Sequence, residues 1–172
     1  MYRILPYGIL FAATALLQIF LFNQLSVSIY LCPLVYVAFV LLLPLELPHA
    51  LVLLGGLASG AVMDWTMGTA GINTAATVLL AFLRPHVLRL LCRRDDAREE
   101  GVPSVERLGK AVFLNYLAVL VLIHHALFFA LESLSGQYLL QTILRTVVSG
   151  TATVGFCWLF ARLFTSKLSV RI

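Results

Sequence analysis

Long apolar runs alternate with short polar breaks from one end of this chain to the other, and the spacing of the breaks sets the elements. A helix that crosses a bilayer needs about 20 mainly apolar residues. Cutting each run at its nearest polar, proline or glycine break predicts helices over about 4–22, 28–43, 49–65, 72–92, 108–131 and 138–164. Pro6 falls in the first turn of the first helix, where its missing N–H has no partner to lose, and Asn23, Gln24 and Ser26 mark a polar exit. The second helix is slightly short and stops at Pro44; the connector carrying Pro44 and Pro48 reads as a tight turn. Gly68 and Gly71 interrupt the chain between the third and fourth helices. The stretch 93–107, RRDDAREEGVPSVER, has the look of a soluble loop: a solvated cytoplasmic connector, with a docking loop for a partner as the alternative. The expected fold class is an all-α polytopic membrane protein, a single integral membrane domain over 1–172 with six transmembrane helices.

Composition agrees with the pattern. The chain is 61% hydrophobic and 12% charged, with a mean hydropathy of +0.98, whereas soluble domains carry roughly a quarter charged residues. Its net charge of +4 does not point to nucleic acid, because the basic residues stand at the ends of apolar runs. Short cytoplasmic loops collect Lys and Arg. With six helices threaded, Arg3, the basic loop from Arg93 to Lys110, and Arg162, Lys167 and Arg171 fall on one side, while the turns near Asn23, Gly68 and Gly136 carry no Lys or Arg. Both termini are therefore expected to be cytoplasmic; five helices would split the basic ends. Ala13-Thr14-Ala15 has the small-x-small form of a cleavage site, but too few residues precede it and hydrophobicity continues to Phe22, so this helix is expected to be retained. Cys32, Cys92 and Cys157 lie on separate apolar segments with no CxxC spacing and read as packing residues. No internal repeat is evident.

Ionisable side chains within a span are expensive, so each needs a partner or a purpose. Gly56, Gly60 and Asp64 are spaced by four and share one helical face; the small residues allow another helix to approach and the carboxylate sits at the outer end of that stripe. Asn73, Thr77 and Arg84 share a face of the fourth helix. Arg84, just before Pro85, either snorkels towards the cytoplasm beside Arg89 and Arg93 or pairs internally with Glu46 or His49. On the fifth helix His125 and Glu132 are seven apart, and on the sixth Gln141, Arg145 and Ser149 follow steps of four. Asp64, His125, Glu132 and Arg145 all fall in the outer half, and the expectation is one buried polar cluster in which Asp64 or Glu132 neutralises Arg145. No catalytic, cofactor or metal site is expected. Ser149 lacks the glycine-flanked setting of a nucleophile. His124 and His125 are adjacent, about 100° apart on a helix, and a helical zinc pair prefers i, i+4; they read as structural histidines rather than a proton relay.

The whole pattern resembles the rod shape-determining MreD family, in the version found in the Bacteroidetes branch. The residues that carry the resemblance are Gly60-Ala61-Val62-Met63-Asp64, the break Gly68-Thr69-Ala70-Gly71-Ile72-Asn73, the run from Ala75 to Leu83-Arg84-Pro85, and the later Leu122-Ile123-His124-His125 with Leu131-Glu132. The resemblance implies a bacterial inner-membrane protein, multi-pass, with a fold similar to the S-components of ECF vitamin transporters. It also implies a non-enzymatic scaffold of the cell-elongation complex. MreC would be the direct partner, with MreB, RodA and its class B penicillin-binding transpeptidase in the larger assembly, and membrane lipids around it. Gly68, Gly71, Asp64 and Asn73 would then be structural or partner-contact residues, and the small-residue stripe would accept the partner's single span. The alternative is an S-component-like subunit that binds a small molecule such as a vitamin, using the broken segment at Gly68 to Gly71 and the outer polar cluster.

Overall fold

The structure, a computed structural model, describes residues 4–24, 30–92, 101–133 and 139–169. Arg3, Arg171, the turn at Gly136 and the charged run 93–100 lie outside them. Among the described residues every regular element is helical: α1 (Ile4–Phe20) with a 3₁₀ turn at Phe22–Gln24, a second 3₁₀ turn at Val35–Val37 leading into α2 (Ala38–Leu41), then α3 (His49–Met67), α4 (Ile72–Leu91), α5 (Val105–Leu108), α6 (Lys110–Ser133) and α7 (Leu139–Ser169). Five helices, α1 with its following turn, α3, α4, α6 and α7, are long and apolar enough to cross a membrane. The chain is built as a multi-pass membrane protein.

These five helices form a ring. α1 packs on α3, α3 on α4, α4 on α6 and α6 on α7, and the ring closes where α7 returns to α1 through the Tyr7–Phe164 and Phe22–Phe156 aromatic pairs. Outward positions such as Leu16, Phe20, Leu57, Leu140 and Val147 are exposed; in a bilayer this is no liability, because lipid tails are as apolar as leucine. For the same reason cohesion has to come from close packing and hydrogen bonds.

Inside the ring lies the segment from Tyr30 to Pro44, and here the structure departs from the sequence reading. The helix expected over 28–43 is not continuous: residues 31–34 take no regular structure, 35–37 form a 3₁₀ turn and only Ala38–Leu41 is α-helical. Pro33 gives the physical reason. It lacks an N–H and would clash with the preceding turn, and it pushes Cys32 out of helical conformation. The segment is the core of the molecule: Leu34, Val35, Val37, Ala38, Val40, Leu41 and Leu42 are all fully buried. It runs opposite to α1, since Gln18 meets Pro33 and Val35 while Phe11 meets Phe39.

The connector expected to be solvated differs as well. Val102, Pro103 and Ser104 are buried, and Gly101 is tied to the Pro44–Pro48 turn through Leu45 N–H to Gly101 O (2.8 Å) and Gly101 N–H to the Glu46 carboxylate (2.7 Å). This part of the loop folds onto one end of the bundle.

Candidate functional site

The α3–α4 hairpin places the first group of expected residues. A Cβ built on Gly60 would lie 2.5 Å from Thr74 Cα, and one on Gly56 would lie 2.9 Å from Ala81 Cβ. The two helices touch backbone to backbone there, so the small-residue stripe is filled by α4 and is not open to a partner's span. Gly68 and Gly71 both take left-handed conformation (φ 66° and 87°), which an L side chain would strain. Gly68 ends α3, and Gly71 stands before α4, where it offers no side-chain cap.

Asp64 supplies the missing cap. Its Oδ1 accepts from Asn73 N–H (2.9 Å) and Thr69 Oγ1 (2.6 Å), and its Oδ2 accepts from Thr74 N–H (2.9 Å) and Thr74 Oγ1 (2.5 Å). The first N–H groups of a helix have no internal partner, and the positive end of the helix dipole favours an anion. A carboxylate from the preceding helix thus caps α4, which answers the cost of placing Asp64 in a span. Its expected partner Arg145 is not used.

From Asp64 a chain of hydrogen bonds runs inward. Asn73 Nδ2 donates to Asp64 Oδ1 and Thr69 Oγ1, leaving Asn73 Oδ1 to accept from the Tyr36 hydroxyl at 3.1 Å. Tyr36 lies 3.1 Å from His124 Nε2. With its own proton directed to Asn73, the hydroxyl accepts from a protonated Nε2, and this fixes the neutral imidazole tautomer. His124 Nδ1 is then a bare lone pair, buried without a hydrogen-bond partner. Thr77 completes the group by donating to Asn73 O at 2.7 Å.

His125 belongs to a different chain. Leu34 N–H donates to Thr153 Oγ1 (3.1 Å), Thr153 stands 3.1 Å from His125 Nε2, and His125 Nδ1 stands 2.9 Å from Val121 O. Each proton has one consistent place: Thr153 donates to Nε2 and Nδ1–H donates to Val121. Ser149, the residue considered as a nucleophile for His125, instead accepts from Cys32 N–H and donates to Tyr30 O, both at 2.9 Å. Gln18 from α1 accepts from Val35 N–H (2.6 Å) and donates to Pro33 O (3.2 Å).

Arg84 does not snorkel, and among the described residues it forms no ion pair. It is buried, its Nη2 donates to Leu43 O, with Pro44 O also in reach, and its Nε donates to Tyr116 Oη at 3.0 Å. Tyr116 passes its own proton to Leu41 O at 2.8 Å. Guanidinium and phenol together satisfy carbonyls at the end of α2 and just beyond it. At the opposite end Arg145 pairs with Glu132 (2.7 Å) and stacks over the Phe129 ring at 4.5 Å. One of the two expected acids therefore neutralises Arg145, but Asp64, His125 and the Glu132–Arg145 pair do not form one cluster. The expected outer site resolves into three separate arrangements.

What unites the polar residues is their target. Gln18, Ser149 and Thr153 satisfy the N-terminal half of the central segment, Tyr36 anchors its middle to the α3–α4 turn, and Arg84 with Tyr116 caps its end. A backbone group buried without a partner costs several kcal/mol in an apolar medium, and irregular backbone is tolerated at membrane depth only where protein groups meet it. Gln18, Tyr36, Tyr116 and Thr153 were not singled out in the sequence; a glutamine within an apolar run was the signal available. Comparison of the chain with protein-family models, with curated proteins and with solved structures returns no match.

Proposed function

We propose that this chain is a non-enzymatic scaffold of the bacterial inner membrane, of the MreD type, that binds MreC and supports peptidoglycan synthesis by the cell-elongation machinery. In this reading MreB, RodA and its class B penicillin-binding transpeptidase join the same assembly. The central segment counts as a sixth crossing and both termini are cytoplasmic, in keeping with the one-sided placement of Lys and Arg. The S-component-like fold belongs to the same proposal.

The observation that carries a binding role over a chemical one is the use of the interior polar side chains. Asp64, Arg84, Ser149, Thr153 and His125 each hold backbone, a helix end or one another. A reactive serine or histidine would need a free partner and a place for substrate. Partner recognition then falls to the outward apolar faces and to the juxtamembrane loop, because the Gly56–Gly60 stripe is occupied by α4.

Co-expression with MreC, followed by purification in mild detergent, tests the reading directly: a stable stoichiometric complex is expected, and its repeated absence would remove the main support. Thermal-shift screening against vitamins addresses the transporter alternative, where a stoichiometric ligand would reverse the ranking. Cysteines introduced at positions 70 and 100 are expected to label from opposite sides of the membrane, which tests the topology.

A further inference from the structure

A pocket of about 160 Å³ opens where α5 meets the last turns of α7, lined by Ser104, Val105, Glu106, Trp158, Ala161 and Arg162. It stands at the end of the bundle where α6 begins, just where the apolar window of α7 runs out at Phe164. That position is the depth of lipid headgroups. The lining carries both signs of charge: the Arg162 guanidinium lies over the Trp158 ring at 5.7 Å, and Glu106 is exposed on the facing element. Trp158 thus holds the guanidinium against an aromatic wall of the pocket.

From this geometry we propose that the pocket is a binding site for the headgroup of a membrane phospholipid that carries both a phosphate and a primary ammonium, as phosphatidylethanolamine does. The phosphate meets Arg162 through charge-assisted hydrogen bonds, with the Ser104 hydroxyl as a further donor. The ammonium meets the Glu106 carboxylate. A choline headgroup cannot donate to that carboxylate, so selectivity for a primary amine rests on Glu106. The acyl chains have a path as well. Gly155 is exposed one turn before Leu159, with nothing within 4 Å of where its Cβ would stand, and exposed Leu159 and Leu163 border the same face. This exposed apolar face below the pocket favours a lipid over free phosphate as the source of the anion.

Native mass spectrometry of the full chain, exchanged into detergent with defined amounts of phosphatidylethanolamine or phosphatidylcholine, reads the site. Wild type is expected to retain the ethanolamine lipid in preference to the choline lipid. Arg162→Gln is expected to lower retention of both by on the order of tenfold, the effect of losing one charge-assisted contact. Glu106→Gln is expected to abolish the preference while leaving choline-lipid retention unchanged. Gly155→Leu separates the sources: it lowers lipid retention and leaves any thermal shift caused by glycerophosphoethanolamine untouched. Equal retention of the two lipids by wild type, unchanged retention in Arg162→Gln, or an equal thermal shift with inorganic phosphate alone would each overturn the proposal.

Discussion

The α3–α4 hairpin and the central segment are both apolar stretches buried within one ring, yet they solve the problem of buried backbone in opposite ways. The hairpin largely satisfies itself: helical hydrogen bonds run nearly its full length, Gly56 and Gly60 let the two backbones meet, and one local carboxylate, Asp64, caps the start of α4. The segment from Tyr30 to Pro44 satisfies itself only across its short 3₁₀ and α turns and otherwise borrows side chains from α1, α4, α6 and α7. Regular structure concentrates its weak points in a few close contacts, whereas irregular structure distributes them over many distant donors and acceptors. Substitutions should therefore fail steeply in the hairpin and by instalments in the segment.

The steepest test is Gly60→Leu, which would drive a side chain into the Thr74 backbone; a loss above about 3 kcal/mol is expected, seen as collapse of monodisperse yield in detergent. Arg84→Met should follow at about 2–4 kcal/mol, because the Leu43 and Pro44 carbonyls lose their donor. A thermal melt in detergent checks it, and a melt unchanged from wild type would show that the segment's end is held by something else. Thr153→Val is expected to cost about 1–2 kcal/mol by breaking the relay from Leu34 N–H to His125. Asp64→Asn should cost a similar ~1–2 kcal/mol through weakened capping. Combined with Arg145→Gln it should be additive, since Arg145 pairs with Glu132 instead; strong coupling in that cycle would contradict the separation of the two sites. The smallest effect belongs to Gly155→Ala. This glycine has open space around it, so stability should change by no more than about 0.5–1 kcal/mol, and upward if helix propensity governs.

The same contrast explains what could be read in advance. Gly68, Gly71 and the polar exits mark helix ends through local rules, so α3 and α4 were legible to within a few residues at Met67 and Ile72. A carboxylate at Asp64 followed by a glycine-punctuated break was legible, but its role as a cap was not, because that depends on how the turn brings Asn73 and Thr74 back over the carboxylate. The central segment was misread because its apolar residues satisfy a helical count. Pro33, well past the first turn of the expected helix, was the local evidence against it. Ser149 and Thr153 could not have been assigned to Cys32 and Leu34 by any local rule, since periodicity says which face a residue occupies and not what crosses in front of it.

That arrangement also sets an order of assembly. The segment leaves the ribosome early, but the hydroxyls that complete it arrive with α7, 117 and 119 residues later at Ser149–Cys32 and Thr153–Leu34. Closing loops of that span is slow relative to helix formation. Until the last helix inserts, the N–H groups of Cys32 and Leu34 must find water, lipid headgroups or the insertion machinery. The completed core is thus a record of synthesis through α7, and a chain halted before it leaves the Cys32 and Leu34 N–H groups without their hydroxyl partners.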